Sequence, residues 1–409
     1  MKRLAALLAL LTISIFAVEP RASKPPDDLF KEIDKTMATL EKITGWKAKH
    51  KVAAEWISKD KLRKFVESRL KDEVKPEETR IEQLTLRMFG LIPEGFDLRK
   101  TTVDLVTEQA AAFYDYNRKK LFVLDTEEDA TERRVTLAHE LAHALADQRF
   151  SLKKFMKGGM SSDDSSTARQ AVVEGQATWL MWAFLAAREG KVAEIPAAMV
   201  EMTAKVAQGS QEQFPVLSGA PLYVRESMMF PYTKGLLFQD AAFRKYGQQS
   251  FTQVFEHPPT STQQILHPDV YERGTKPVEV ELAEIARSKQ YKTLAEGSVG
   301  EFDHHILLNQ FVDEKTADEV APLWRGGAFR LYETKSAVRQ PMLNYVSLWD
   351  SEETATRFFA LYRTILEHKW KKLEVARQTD SELSGKGDFG PFRVWRTGKA
   401  VYSIEGGLH

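Results

Sequence analysis

Apolar positions recur with helical spacing through most of the chain up to about residue 286. Between Asp27 and Arg99 they mark several amphipathic helices, punctuated by Pro76 and by Gly90 and Pro93. Leu62, Phe65, Val66 and Leu70 form one apolar stripe of such a helix, and Ser58 stands where it can cap it. The period then shortens. Ala112-Phe113-Tyr114 and Leu121-Phe122-Val123-Leu124 read as two strands, with residues 115–120 as the turn of a hairpin. Helical spacing resumes over about 131–149, with Val135, Ala138, Ala142 and Leu145 on one side. A Gly/Ser/Asp loop is expected at 158–166, then a long apolar helix over 168–188. Further helices are expected at 197–208 and 228–246, and a short one ends near His267-Pro268. Past residue 286, strand-like stretches at 329–334, 343–348, 392–395 and 400–404 surround one helix at 352–368. This is the pattern of a small α+β domain.

Length and composition set the frame. A chain of 409 residues is too long for one ordinary core, which predicts two domains. Lys2 and Arg3 precede an uncharged apolar run from Leu4 to Val18, and prolines follow, as in a secretory signal peptide with removal after Ala17 or Ala22. The alternatives are a buried helix or a retained anchor, but the run is shorter than the roughly 20 residues needed to span a bilayer. The expected layout is a signal peptide at 1–22, a larger domain at 23–286 whose part up to about 100 is helical, and a C-terminal α+β domain at 287–409. Such a protein would be exported, to the periplasm or beyond, with no membrane span once the signal is removed. Lys+Arg and Asp+Glu number 58 each, so no net charge draws the chain to nucleic acid. Without cysteine it can form neither a disulfide nor a thiolate metal site.

The chemistry concentrates in His139-Glu140-Leu141-Ala142-His143. Four residues apart on a helix, the two imidazoles share a face and can reach one ion. Glu140 points to an adjacent direction, where it can touch a water on that ion and take its proton. Chance alone produces this five-residue pattern often enough that context must support it. A third ligand is needed. Ala146 and Arg149 occupy the places where a metzincin has Gly and His, which excludes that arrangement. Glu174 lies in the next long helix among Ala, Val, Trp179 and Leu180, where an uncompensated carboxylate would be costly. Ligation of zinc would compensate it, and Gly175 and Ala177 would allow close packing against the motif helix. The competing view puts Glu174 on a polar edge of its helix.

His-Glu-x-x-His followed by Glu on the next helix resembles the gluzincin zinc metallopeptidases over roughly residues 105–271. The resemblance implies a zincin-like α+β domain, one Zn²⁺ per chain held by His139, His143 and Glu174, Glu140 as general base, and a peptide or protein substrate. The hairpin before the motif would be the edge strand that pairs with substrate, carrying Ala111, Ala112 and Phe113. Phe230-Pro231-Tyr232-Thr233-Lys234-Gly235 resembles the Pro-Tyr-x-Lys-Gly segment of the zinc aminopeptidases, which implies an oxyanion donor at Tyr232. A core aromatic is the alternative there.

Departures narrow what carries over. The aminopeptidase element that holds a free amine, Gly-x-Met-x-Asn, is replaced by Ala110-Ala-Ala-Phe-Tyr114, which points to internal cleavage. Thermolysin-like enzymes have Asp four residues after the third ligand, where this chain has Thr178; Asp147 could orient an imidazole instead. His267, in a loop that could close over the cleft, is a further catalytic candidate, with a structural histidine as its alternative. His304 and His305 are adjacent and point apart, so they do not form a second metal site. The C-terminal aromatics, such as Trp324, Phe358 and Trp395, are expected to form the core of a separable domain for substrate or partner contact. Two rival functions stand beside the endopeptidase: a catalytically silent zinc-binding or assembly protein, and a zinc hydrolase of a non-peptide bond.

Overall fold

The computed structural model describes residues 12–13, 30–125, 130–160, 162–188, 195–209 and 214–407. The expected signal peptide lies outside the described residues except for Thr12 and Ile13. Among the described residues no helix is long and apolar enough to cross a membrane. A mainly helical N-terminal part carries a small sheet, and a seven-stranded antiparallel sheet ends the chain, the α+β class that the sequence predicts.

The first helices follow their apolar stripes. Ser58 Oγ accepts the Lys61 amide and starts the helix Lys59–Glu73, which buries Leu62, Val66 and Leu70. Gly90, at φ 81°, ends the helix Pro76–Phe89 in the left-handed conformation. One segment departs from expectation. Residues 53–57 were expected within a helical region but form a strand, because they pair with one formed far later in the chain. The two-residue β1 (Thr12–Ile13) comes first, then β2 (Ala53–Ile57), β3 (Ala112–Asp115) and β4 (Lys120–Leu124). β2 runs parallel to β4, and β3 and β4 form the expected hairpin. β1 lies antiparallel on the far side of β3, with Thr12 opposite Tyr114. Nearly every side chain of β3 and β4 is buried, which explains their unbroken apolar sequence.

Three long helices build the centre: the motif helix Ala130–Phe150, the Glu174 helix Asp163–Arg188 and the Tyr232 helix Leu222–Tyr246. The Glu174 helix begins earlier than its apolar pattern suggests, so the expected loop at 158–166 is shorter. Asp163 and Asp164 lie in its first turn, where acidic groups suit the helix dipole, and Asp164 also accepts the Thr262 amide at 2.9 Å. Gly175 does not pack against the motif helix as expected. It meets the Tyr232 helix at Gly235, where a methyl group on either glycine would overlap backbone atoms of the other helix. Trp179 Nε1–H to Asp240 Oδ1 (3.1 Å) and Gln176 Nε2–H to Gln239 Oε1 (3.5 Å) join the two helices. Gly175→Ala must therefore part them, at a cost of about 1–3 kcal/mol as in other overpacked cores. Denaturant unfolding checks this, and an unchanged midpoint would contradict the close crossing.

The C-terminal sheet comprises β5 (Tyr291–Ser298), β6 (Trp324–Thr334), β7 (Pro341–Trp349), β8 (Glu374–Gln378), β9 (Glu382–Gly387), β10 (Gly390–Thr397) and β11 (Ala400–Gly406). Its order is β5-β6-β7-β11-β10-β9-β8, and the helix Glu352–Lys369 buries Phe358, Tyr362, Ile365 and Leu366 against it. The separable unit expected here instead shares its core with the helical part. A single cluster of buried apolar residues extends from Ile33 to Val401. Phe89 meets Phe329 and Tyr345 edge-on at 5.6 and 5.5 Å, and Phe230 meets Phe302 at 4.4 Å.

Candidate metal centre

His139 and His143 are buried and share one face of the motif helix, as their spacing requires. Their Nε2 atoms lie 3.0 Å apart. Glu174 Oε2, from the neighbouring helix, lies 3.3 Å from His139 Nε2 and 3.2 Å from His143 Nε2. These three atoms form a nearly equilateral triangle. A tetrahedral ion with N and O ligands at about 2.0–2.2 Å sets those ligands about 3.3–3.6 Å apart, so the triangle is slightly smaller than one face of such a site. Lone pairs converging on one point repel each other unless a cation, or a ring proton shared in a hydrogen bond, sits among them. These residues could therefore hold a small divalent ion.

Glu140 is equally buried, and ligand atoms of His139, Glu140 and His143 all lie within 4.8 Å of one another. Two carboxylates thus flank the pair of imidazoles, Glu174 Oε2 within 3.3 Å of both Nε2 atoms and Glu140 within the same cluster of ligand atoms. Glu140 Oε2 turns to the backbone N–H of Tyr114 on β3, 2.7 Å away. Burial pushes the imidazoles down, His139 to about 4, where the Glu174 carboxylate opposes the shift, and His143 to about 3. Both are then neutral near pH 7, the form that ligates metal. Burial raises Glu174, against hydrogen bonds from His139 and the Tyr232 hydroxyl.

Tyr232 is therefore at the site. Its ring stacks on His139 with centroids 6.2 Å apart and planes 25° from parallel. Pro231 lies inside the same helix and has no amide to donate, which removes one rung of the helical ladder just before Tyr232.

Two expected residues are elsewhere. His267 Nε2 lies 2.7 Å from Glu301 Oε1, at the junction with the C-terminal sheet, and that carboxylate raises its pKa. The loop around it is fixed there by Gln263 and Thr262, so His267 joins the junction and not the metal cluster. Asp147 acts on His143 through its charge, opposing the effect of burial, and its hydrogen bonds go to other groups. Its carboxylate accepts the Tyr114 hydroxyl (2.9 Å), the Leu152 amide (2.9 Å) and the Lys119 ammonium. Tyr114 and Lys119 are the residues that sequence reasoning missed. Tyr114 sits in an apolar strand where it reads as core, and nothing local marks its two polar contacts.

Residues 96–196 match the Peptidase_M78 family model, described as an IrrE N-terminal-like domain, a zinc-dependent peptidase-like family that includes regulatory members. Residues 289–407 match a domain of unknown function, DUF8575. The first match covers β3, the motif helix and the Glu174 helix and ends before Tyr232; the second covers the whole C-terminal sheet. No curated protein and no solved structure shows significant similarity to the chain.

Proposed function

We propose that the chain is a zinc-dependent endopeptidase of gluzincin type, acting outside the cytoplasm on extended or partly unfolded peptide segments. The observation that carries this is the triangle of His139, His143 and Glu174 with Glu140 beside it. Zinc bound there supplies Lewis acidity, acidifying a water and polarising the scissile carbonyl. Glu140 takes the proton of that water as its oxygen bonds to the carbonyl carbon. Tyr232 donates its hydroxyl to the oxygen that becomes negative. The proton on Glu140 passes to the amide nitrogen as the C–N bond breaks, leaving a carboxylic acid and an amine. The acid's proton then moves to the amine to give carboxylate and ammonium.

The main chain of β3 supports internal cleavage. Its outer edge takes up an extended segment, β1, in antiparallel pairing, and pairing of this kind holds backbone on both sides of a scissile bond. The uncharged, mainly apolar run after Lys2 and Arg3 supports export. A silent regulatory protein is the rival, because the matched family includes regulatory members.

Mass spectrometry of a digested peptide library separates the two. Internal cuts that depend on metal are expected; no cuts would favour the regulator, and stepwise loss from one end would mean an exopeptidase. Tyr232→Phe should bind substrate nearly as well and lose about 10²–10³-fold in kcat, the scale of one oxyanion donor. A parental rate would return Tyr232 to a purely structural role.

A further inference from the structure

We infer that Tyr114 is a positioning residue that ties the substrate-pairing edge of β3 to the motif helix at two points and so sets where Glu140 stands relative to substrate; this rests on the hydrolase reading above. Its backbone N–H donates to Glu140 Oε2 at 2.7 Å, and its hydroxyl donates to Asp147 Oδ2 at 2.9 Å. Glu140 and Asp147 are seven residues apart, hence on one face of the helix two turns from each other. One residue of the strand therefore touches the helix both at the proposed base and at a second carboxylate about 10 Å along the axis.

The second contact is itself braced. Lys119, in the hairpin turn, adopts φ 55°, a conformation that side chains rarely take, and its ammonium reaches the same Asp147 oxygen. The other Asp147 oxygen accepts the Leu152 amide just past the end of the motif helix. Asp147 is fully buried, and these partners compensate its charge. Strand, turn and helix end thus converge on one carboxylate.

The pairing pattern gives the tie its consequence. Leu124 N–H donates to the Ala111 carbonyl, so Ala111, Phe113 and Asp115 turn their main chain toward β4. Ala112 and Tyr114 turn theirs toward the outer edge of β3, where β1 pairs in extended form as substrate would. With the Tyr114 amide held by Glu140, substrate backbone is met by the Ala112 N–H and C=O and by the Tyr114 C=O. The base is placed by the same strand that places the scissile bond, which is what a near-attack geometry requires.

Hydrogen exchange of the zinc-loaded full chain, read on fragments covering β3, tests the first contact without needing turnover. The Tyr114 amide should be protected in the parent and in Glu140→Gln, whose amide oxygen still accepts, and should exchange at least tenfold faster in Glu140→Ala. Equal exchange in the parent and Glu140→Ala would overturn the tie. Tyr114→Phe removes only the hydroxyl contact. It should keep zinc content and KM, and lose about 10–10²-fold in kcat, as a displaced catalytic group does. A parental kcat, or a loss confined to KM, would overturn the positioning role. Should the parent cleave no peptide, the hydrolase reading fails, while the exchange result still decides whether the strand is tied to Glu140.

Discussion

A chain carrying Glu140→Gln should bind zinc and melt as the parent does, yet hydrolyse peptide about 10²–10⁴-fold more slowly, the usual contribution of a positioned general base. The substitution is nearly isosteric. The Gln side-chain oxygen can still accept the Tyr114 N–H that Glu140 accepts now, so β3 should stay in place. The triangle of His139, His143 and Glu174 is untouched, so metal should remain. Only the ability to take a proton disappears. Initial rates on a peptide identified by the library digest, beside metal analysis of the same sample, decide the matter. Turnover at the parent rate would show that another group removes the proton.

Ending the chain at Ala286 should abolish cooperative folding. The cut removes Phe329 and Tyr345 from Phe89 and Phe302 from Phe230. It also removes Glu301 and the Trp324 carbonyl from the buried Gln263 side chain. Each large side chain newly exposed forfeits about 1.5–3 kcal/mol of burial. A few such losses, with buried polar groups left unpaired, match the 5–15 kcal/mol by which a typical domain is stable. Thermal unfolding followed by circular dichroism should show no cooperative transition. A truncated chain that melts sharply and retains zinc would show that the sheet is an accessory.

The sequence reveals most where one physical constraint acts locally. The helix that Ser58 caps, the β3–β4 hairpin and the motif helix all follow from spacing within a few residues. It reveals less where partners are distant. β2 needs β4, more than sixty residues later, to be a strand, and β5 and β8 carry too many polar residues to stand out from loops. In the site, His139, Glu140 and His143 come from one helix and were legible as a unit. Glu174 was legible because a lone carboxylate in an apolar helix requires an explanation. Tyr114 and Asp147 were not read correctly, because their contact joins a strand to a helix 33 residues further on. Gly175 was recognised as a close-packing residue, but its partner, Gly235, depends on how the long helices cross.

The most direct test of the central claim is the metal content of the purified chain and of Glu174→Ala, measured by mass spectrometry after exhaustive dialysis. The parent should hold about one zinc per chain. Glu174→Ala should lose it while its fold, read by circular dichroism, persists. Zinc retained at one per chain without Glu174 would place the third ligand elsewhere, with Glu140 the nearest carboxylate, and a metal-free parent would contradict the site altogether.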